Sequence, residues 1–183
     1  MSSAPRMRRA DKMMTDERAL ETLERGFCGR LATVGEDGSP YCVPLLYIWM
    51  DGQVYLHIVR ATGRLRANLD HEARVCFEVD EPGEVFAYGR FECDTSIAYR
   101  SVILFGRIRA VEDMETKQRF CEGLMAKYAK RDRDRPPGFF PRLDQIMVYA
   151  VAGEWMTGKE TPLPELSRRW PAVDMTKTPS AQM

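Results

Sequence analysis

With 183 residues, of which 44% are hydrophobic and 10% aromatic, the chain has the size and apolar content of one soluble domain rather than two. Its 27 Lys and Arg balance 27 Asp and Glu, which removes the charge footprint of a dedicated nucleic-acid binder. The longest apolar run, Tyr41 to Met50, holds a proline and falls far short of the roughly 20 residues that a membrane-spanning helix needs, so no membrane partner is expected.

The N-terminal stretch carries Arg6, Arg8, Arg9 and Lys12 with no apolar run behind them, so it does not read as a secretory signal, and a cytoplasmic protein is expected. Thr15 or Asp16 can cap a helix running to Arg25, with Leu20 and Leu23 on one stripe and Gly26 as its stop. The hydrophobic period then changes from helical to alternating. Phe27–Val34, Tyr41–Trp49 and Gln53–Val59 read as three strands joined by a turn at Glu36–Pro40 and a tight Asp51-Gly52 hairpin. Thr62 caps a short helix to Leu69, with Leu65 and Leu69 facing inward. Ala73–Val79 and Val85–Cys93 are extended runs broken at Glu81-Pro82-Gly83. Tyr99–Val111 is a long strand in which Gly106 signals a bulge or a bend at a barrel corner. From Glu112 to Lys130 the helical period returns, with Met114, Phe120, Cys121, Leu124, Met125 and Tyr128 on the face toward the sheet. Arg131–Gly138 alternates in charge and holds two prolines, which gives a solvated loop or lid, and Gln145–Ala152 is a last strand. Six or seven strands with helices outside predict a mainly β fold, an antiparallel barrel, at residues 13–159, with flexible terminal segments at 1–12 and 160–183.

The five cysteines, Cys28, Cys42, Cys76, Cys93 and Cys121, are odd in number, widely spaced and never paired as CxxC. They read as reduced thiols packed as small hydrophobes, and no metal site is expected. Only two histidines are present, His57 and His71, and the nucleophile-elbow, zinc-protease and phosphate-loop motifs are missing, so an enzyme of this sequence would rely on a bound cofactor. The most informative stretch runs from Tyr55–Val59 through Thr62–Arg66. A strand that ends at a glycine-containing helix start offers free backbone N–H groups, a positive dipole end and a guanidinium within one turn. A phosphate could dock there, with Gly63 allowing close approach, Arg64 gripping two oxygens and Thr62 adding its hydroxyl. The same residues also suit a capped surface helix with two exposed arginines. His57 reads either as a half-buried, hydrogen-bonded side chain or as a group facing that site. Tyr47, Trp49 and Trp155 suit core or dimer-seam packing as well as cofactor stacking.

Taken together and in order, Gly29–Leu45, Val54–Arg64 and Tyr99–Arg107 resemble the pyridoxamine 5'-phosphate oxidase-like flavoproteins with the FMN-binding split barrel. The branch they are most similar to is that of the nitroimidazole-resistance (Nim-type) proteins, whose strand-ending His followed by Gly-Lys or Gly-Arg is matched by His57 and Gly63-Arg64. The resemblance spans about Met13 to Lys159 and implies a Greek-key split barrel that forms a homodimer with cofactor sites at the subunit interface. It implies FMN lying along the strand of Val43, Pro44, Leu45 and Tyr47, whose backbone would meet the polar edge of the flavin. Leu56, His57 and Ile58 would flank the ribityl chain or ring, and Thr62, Gly63 and Arg64 would receive the phosphate. Ser101 would approach from a later strand, while Trp155 and Lys159 match a segment contributed by a second subunit. His57 is implied as the catalytic contact to substrate or cofactor. Near the C-terminus no Arg-His cluster matches the substrate-phosphate site of the true oxidases. The likeness therefore implies reduction of a nitroaromatic or other small acceptor, with NADH or NADPH as donor. The alternative is a non-catalytic flavin- or haem-binding module in which His57 serves as an axial ligand.

Overall fold

The computed structural model describes residues 7–60, 62–91, 93–129, 136 and 138–170. A 3₁₀ turn at Ala10–Lys12 leads into helix α1 (Asp16–Arg25), and Thr15 Oγ1 accepts the Arg18 N–H at 3.3 Å as its N-terminal cap. Strands β1 (Gly29–Val34), β2 (Pro40–Leu45), β3 (Tyr47–Met50) and β4 (Gln53–Val59) follow, then helix α2 (Arg64–His71). Two long strands, β5 (Arg74–Ala87) and β6 (Thr95–Val111), precede helix α3 (Met114–Tyr128) and the final strand β7 (Ile146–Thr161).

All pairings are antiparallel, and the seven strands follow the order β2-β1-β5-β6-β7-β4-β3. The two end strands, β2 and β3, are consecutive in the chain and joined by Leu46 alone. Laid flat, seven strands would hold their edges about 29 Å apart, whereas two Cα steps reach at most about 7.6 Å. The sheet must therefore roll up, and the unpaired seam between β2 and β3 is the split in the barrel. This is the mainly β, antiparallel split barrel with flanking helices that the sequence predicts.

Several boundaries differ from expectation. Tyr41–Trp49 is not one strand but two, divided at Leu46 and lying on opposite edges of the sheet. The runs before and after Glu81-Pro82-Gly83 are one strand, β5, with a register shift between Pro82 and Val85. Pro82 is tolerated there because β1 pairs with β5 only over Cys76–Val79, so beyond that point one side of β5 is an open edge. After β5, Tyr88 N–H donates to Asp94 O at 2.9 Å, and β7 continues well past Ala152. Thr62 does not cap α2; the cap position is Gly63. Most of the expected charged loop at 131–138 and the end segments 1–6 and 171–183 lie outside the described residues. The described parts of the termini touch the barrel: Lys12 Nζ donates to Thr161 Oγ1 at 2.9 Å, and Trp170 bridges to Ala87.

Strand alternation sorts the side chains into two layers. Leu31, Val54, Leu56, Phe77 and Val102 fill the barrel interior, into which α1 sets Ala19 and Leu23. The opposite face of the β3, β4 and β7 region carries Ile48, Tyr55, Val148 and Ala150, covered by Phe120 of α3. Leu31, Leu56 and Phe77 are fully buried, and each such side chain contributes about 1.5–3 kcal/mol.

Candidate functional site

The end of β4 and the start of α2 form an exposed corner. α2 is fixed from below, where buried Asn68 donates from Nδ2 to Thr33 Oγ1 at 3.0 Å and Leu69 reaches the barrel interior. Its first turn has no side-chain cap, unlike α1, capped by Thr15, and α3, where Asp113 Oδ2 accepts the Thr116 N–H at 2.7 Å. Those first N–H groups and the positive end of the helix dipole face outward. A Cβ at Gly63 would meet nothing within 4 Å, so the approach to this turn is open. Arg64 is 51% exposed, and its Nη2 lies 3.3 Å from Asp37 Oδ2 in the β1–β2 turn. The Asp37 carboxyl is held below the usual carboxylate range chiefly by its hydrogen bonds with Ser39, with a smaller contribution from Arg64. Thr62, Gly63 and Arg64 thus share one exposed corner, where among the described residues Arg64 makes one long ion pair.

His57 lies on β4 opposite Val148, with its ring 5.8 Å from that of Phe120. Its Nδ1 is buried without a hydrogen-bond partner, and burial pushes its pKa below the ordinary value, so the ring is neutral at neutral pH. Leu56 and Ile58 point the other way, into the barrel interior. The side chains of Leu56, His57 and Ile58 therefore cannot all flank one ligand, and that of fully buried Leu56 is core.

The Tyr47 side chain is also core. Its ring meets Phe77 edge-on with centroids 4.9 Å apart, and its hydroxyl donates to Leu23 O. Burial drives its phenol pKa upward. Its backbone is engaged as well: the N–H donates to Tyr128 OH at 3.3 Å, and the carbonyl accepts from Tyr128 OH at 2.9 Å and from Lys127 Nζ at 3.3 Å. Lys127 sits 4.0 Å from the Tyr47 ring centroid, where burial pulls its ammonium down to about 8. On β2, half-buried Val43 and Leu45 alternate with exposed Pro44, and the strand pairs only with β1. Its outer edge offers backbone groups, although Pro44 has only a carbonyl to give.

Ser101, Trp155 and Lys159 lie elsewhere. Ser101 on β6 pairs directly with Lys159 on β7, and the Trp155 ring stands 5.7 Å from that of Phe105. From Val148, the partner of His57, to Lys159 strand β7 rises on the order of 30 Å. His57 and the Thr62–Arg64 corner both belong to the β4–α2 end of the chain, and one chain holds Ser101 and Lys159 too far from β4 to share a ligand with it. These distant residues belong to an outward sheet face with half-exposed Tyr99, Ile103 and Phe105, where Arg30 Nη1 reaches Glu78 at 2.9 Å and Asp80 at 2.5 Å. Sequence reasoning missed Asp37, Lys127 and Tyr128 as neighbours of the candidate residues. Each comes from an element distant in the chain, and nothing in the local pattern marks it.

The sequence profile described as pyridoxamine 5'-phosphate oxidase matches residues 15–160. Similar solved structures include a candidate 5-nitroimidazole antibiotic resistance protein from Bacteroides thetaiotaomicron, at 22% identity and TM-score 0.66, covering 81% of this chain and 85% of that one. The flavocytochrome Anf3 from Azotobacter vinelandii matches at 21% identity and TM-score 0.68, covering 82% of this chain and 69% of its own. An FAD and heme binding protein from Mycobacterium smegmatis matches at 23% identity and TM-score 0.66, with 82% and 75% covered. No curated protein matches the sequence.

Proposed function

Because the chain belongs to the pyridoxamine 5'-phosphate oxidase family, we propose that it binds FMN as a homodimer and reduces a small acceptor, with nitroaromatics the first class to test. The observation that carries this reading is the uncapped, open first turn of α2 beside the half-exposed Arg64 fork. Thr62, Gly63 and Arg64 hold the phosphate, and a bound phosphate draws Arg64 away from Asp37. The backbone edge of Val43, Pro44, Leu45 and Tyr47 borders the ring system, and the backbone of Leu56 and Ile58 borders the chain between. When bound, FMN supplies reversible two-electron chemistry, with NADH or NADPH as donor. His57 presents a neutral imidazole that exchanges a proton at Nε2 with the ligand, because its Nδ1 is shut beneath α3.

Ser101, Trp155 and Lys159 complete the site from a second copy, since their distance along β7 forbids the role within one chain. The Bacteroides likeness supports the acceptor class, and the Azotobacter and Mycobacterium likenesses support a flavin. Among the described residues no helix is long and apolar enough to cross a membrane, and a cytoplasmic location is part of the proposal. The test is titration of purified protein with FMN, followed by bleaching with NADH or NADPH and reoxidation by a nitroimidazole. Saturable binding with turnover supports the reading, and no flavin binding removes it.

A second reading, a haem- or flavin-holding module without turnover, is favoured by His57, whose neutral ring is suited to axial ligation of haem. A Soret band on haem addition that disappears in His57→Ala, with no turnover of any acceptor, selects it.

A further inference from the structure

A cleft of about 380 Å³ opens between the first turn of α1, the irregular stretch of β5 and the end of β7. It lies at the far end of β7 from the His57 pairing, and strand alternation sends Arg100 and Glu160 to the opposite face of the sheet from Ser101 and Lys159. Its volume falls toward the lower end of the roughly 300–1,000 Å³ typical of ligand pockets, which suits one small molecule. Two of its charges already satisfy each other, since Arg18 Nη2 meets Glu160 Oε2 at 2.6 Å. Arg100 makes only the longer ion pairs of the cleft. Arg100 stands 3.7 Å from Glu160 and 3.9 Å from Glu81, beyond hydrogen-bond length, and neither Arg100 nor Glu81 has a side-chain hydrogen bond among the described residues. Both side chains are accessible, at 41% and 37%. Ala98 and Leu163 add an apolar lining beside them.

The cleft thus holds a guanidinium fork with free donors next to a carboxylate with free acceptors. A fork of this kind matches a carboxylate in two parallel bonds, and a free carboxylate matches an ammonium. Two cations balanced by two anions disfavour a polyanion or a polycation and suit a ligand that carries one charge of each sign on adjacent atoms. We propose that this cleft binds a free α-amino acid with an apolar side chain. Its carboxylate lies on Arg100, its ammonium on Glu81, and its side chain against Ala98 and Leu163. The ligand exchanges long ion pairs, which hold no hydrogen bond, for shorter charge-assisted ones.

The test uses the full chain, with L-leucine as the probe and two truncated analogues as controls. Isoamylamine lacks the carboxylate, and N-acetyl-L-leucine lacks the ammonium. L-leucine is expected to raise Tm and to shift the Ala98 amide resonance saturably, while each control binds at least about tenfold more weakly, the loss of one charge-assisted contact. Arg100→Gln and Glu81→Gln should each lower L-leucine affinity about tenfold, with FMN titration unchanged in both. Both side chains are exposed and make no side-chain hydrogen bond among the described residues, so both variants are expected to fold. The proposal is overturned if millimolar L-leucine moves neither Tm nor the Ala98 resonance. It is also overturned if isoamylamine or N-acetyl-L-leucine binds as well as L-leucine, or if both variants keep full affinity.

Discussion

At the scale of single residues, His57 and Arg64 have opposite environments. His57 is half-buried with an unpaired Nδ1 and a lowered pKa, so the unfolded chain takes up its proton before the folded one does. Its contribution to stability is fully present above the unfolded value of roughly 6.5 and is lost as pH falls toward the lower folded value. Thermal melts between pH 7.5 and 5 should show Tm declining on acidification, and His57→Phe should flatten that decline. An unchanged slope would mean that the ring is solvated. Arg64 faces solvent, and among the described residues its one ion pair is the long contact to Asp37. Arg64→Ala should weaken FMN binding about thirtyfold, near 2 kcal/mol, as read by fluorescence titration. Asp37→Asn should strengthen it severalfold, because a competing carboxylate is removed. Retained FMN affinity in Arg64→Ala would exclude the α2 corner as the phosphate site. Arg64 and Gly63 were legible in sequence because a strand end, a glycine and an arginine are adjacent in the chain. The roles of Tyr47 and Leu56 were not. A tyrosine and a leucine in apolar strands look alike whether they line a ligand or a core, and only the packing of Phe77 and α1 decides.

At the scale of elements, what the sequence showed was period, and what it hid was partnership. The cap of α1, the Asp51-Gly52 hairpin and the helical period of α3 are local and were read correctly. The division at Leu46 was hidden because Val43, Leu45 and Tyr47 keep one uninterrupted alternation while the chain passes from one edge of the sheet to the other. Pro82 misled in the other direction, since a proline breaks a central strand but not one with an open side. Gly106 was read as a bulge or a bend, and the β6–β7 register shifts between Phe105 and Gly106. A Cβ there would fall 2.1 Å from Ala152 O, a backbone atom that cannot swing aside. Gly106→Ala should therefore cost about 3 kcal/mol in denaturant unfolding, and a loss under about 0.5 kcal/mol would show that the two strands can separate locally.

At the scale of the molecule, the distance between the α2 corner and the Ser101–Lys159 pair makes assembly the central question. The outward face with Tyr99, Ile103, Phe105 and Trp155 is only half-exposed residue by residue, yet no described helix packs on it. A stable interface needs about 800 Å² from each copy, and a sheet face of this breadth can supply it. Sedimentation should give twice the 21.0 kDa chain mass for the unmodified protein. Phe105→Asp should give the single mass and lower FMN affinity at least about tenfold, because a charge on that face opposes burial. A dimer that persists in Phe105→Asp would move the contact elsewhere.

The Leu46 link has a mechanical consequence. A rolled sheet whose two margins share no ladder behaves like a hoop fastened by one rivet, and every rung would survive a cut at that rivet. A chain nicked between Leu45 and Tyr47 would keep its strand pairings, and the β3 margin would then be held by side-chain ties such as those of Tyr47 to Leu23 O and Phe77. In this architecture closure is enforced by covalent continuity at Leu46 together with side-chain enclosure.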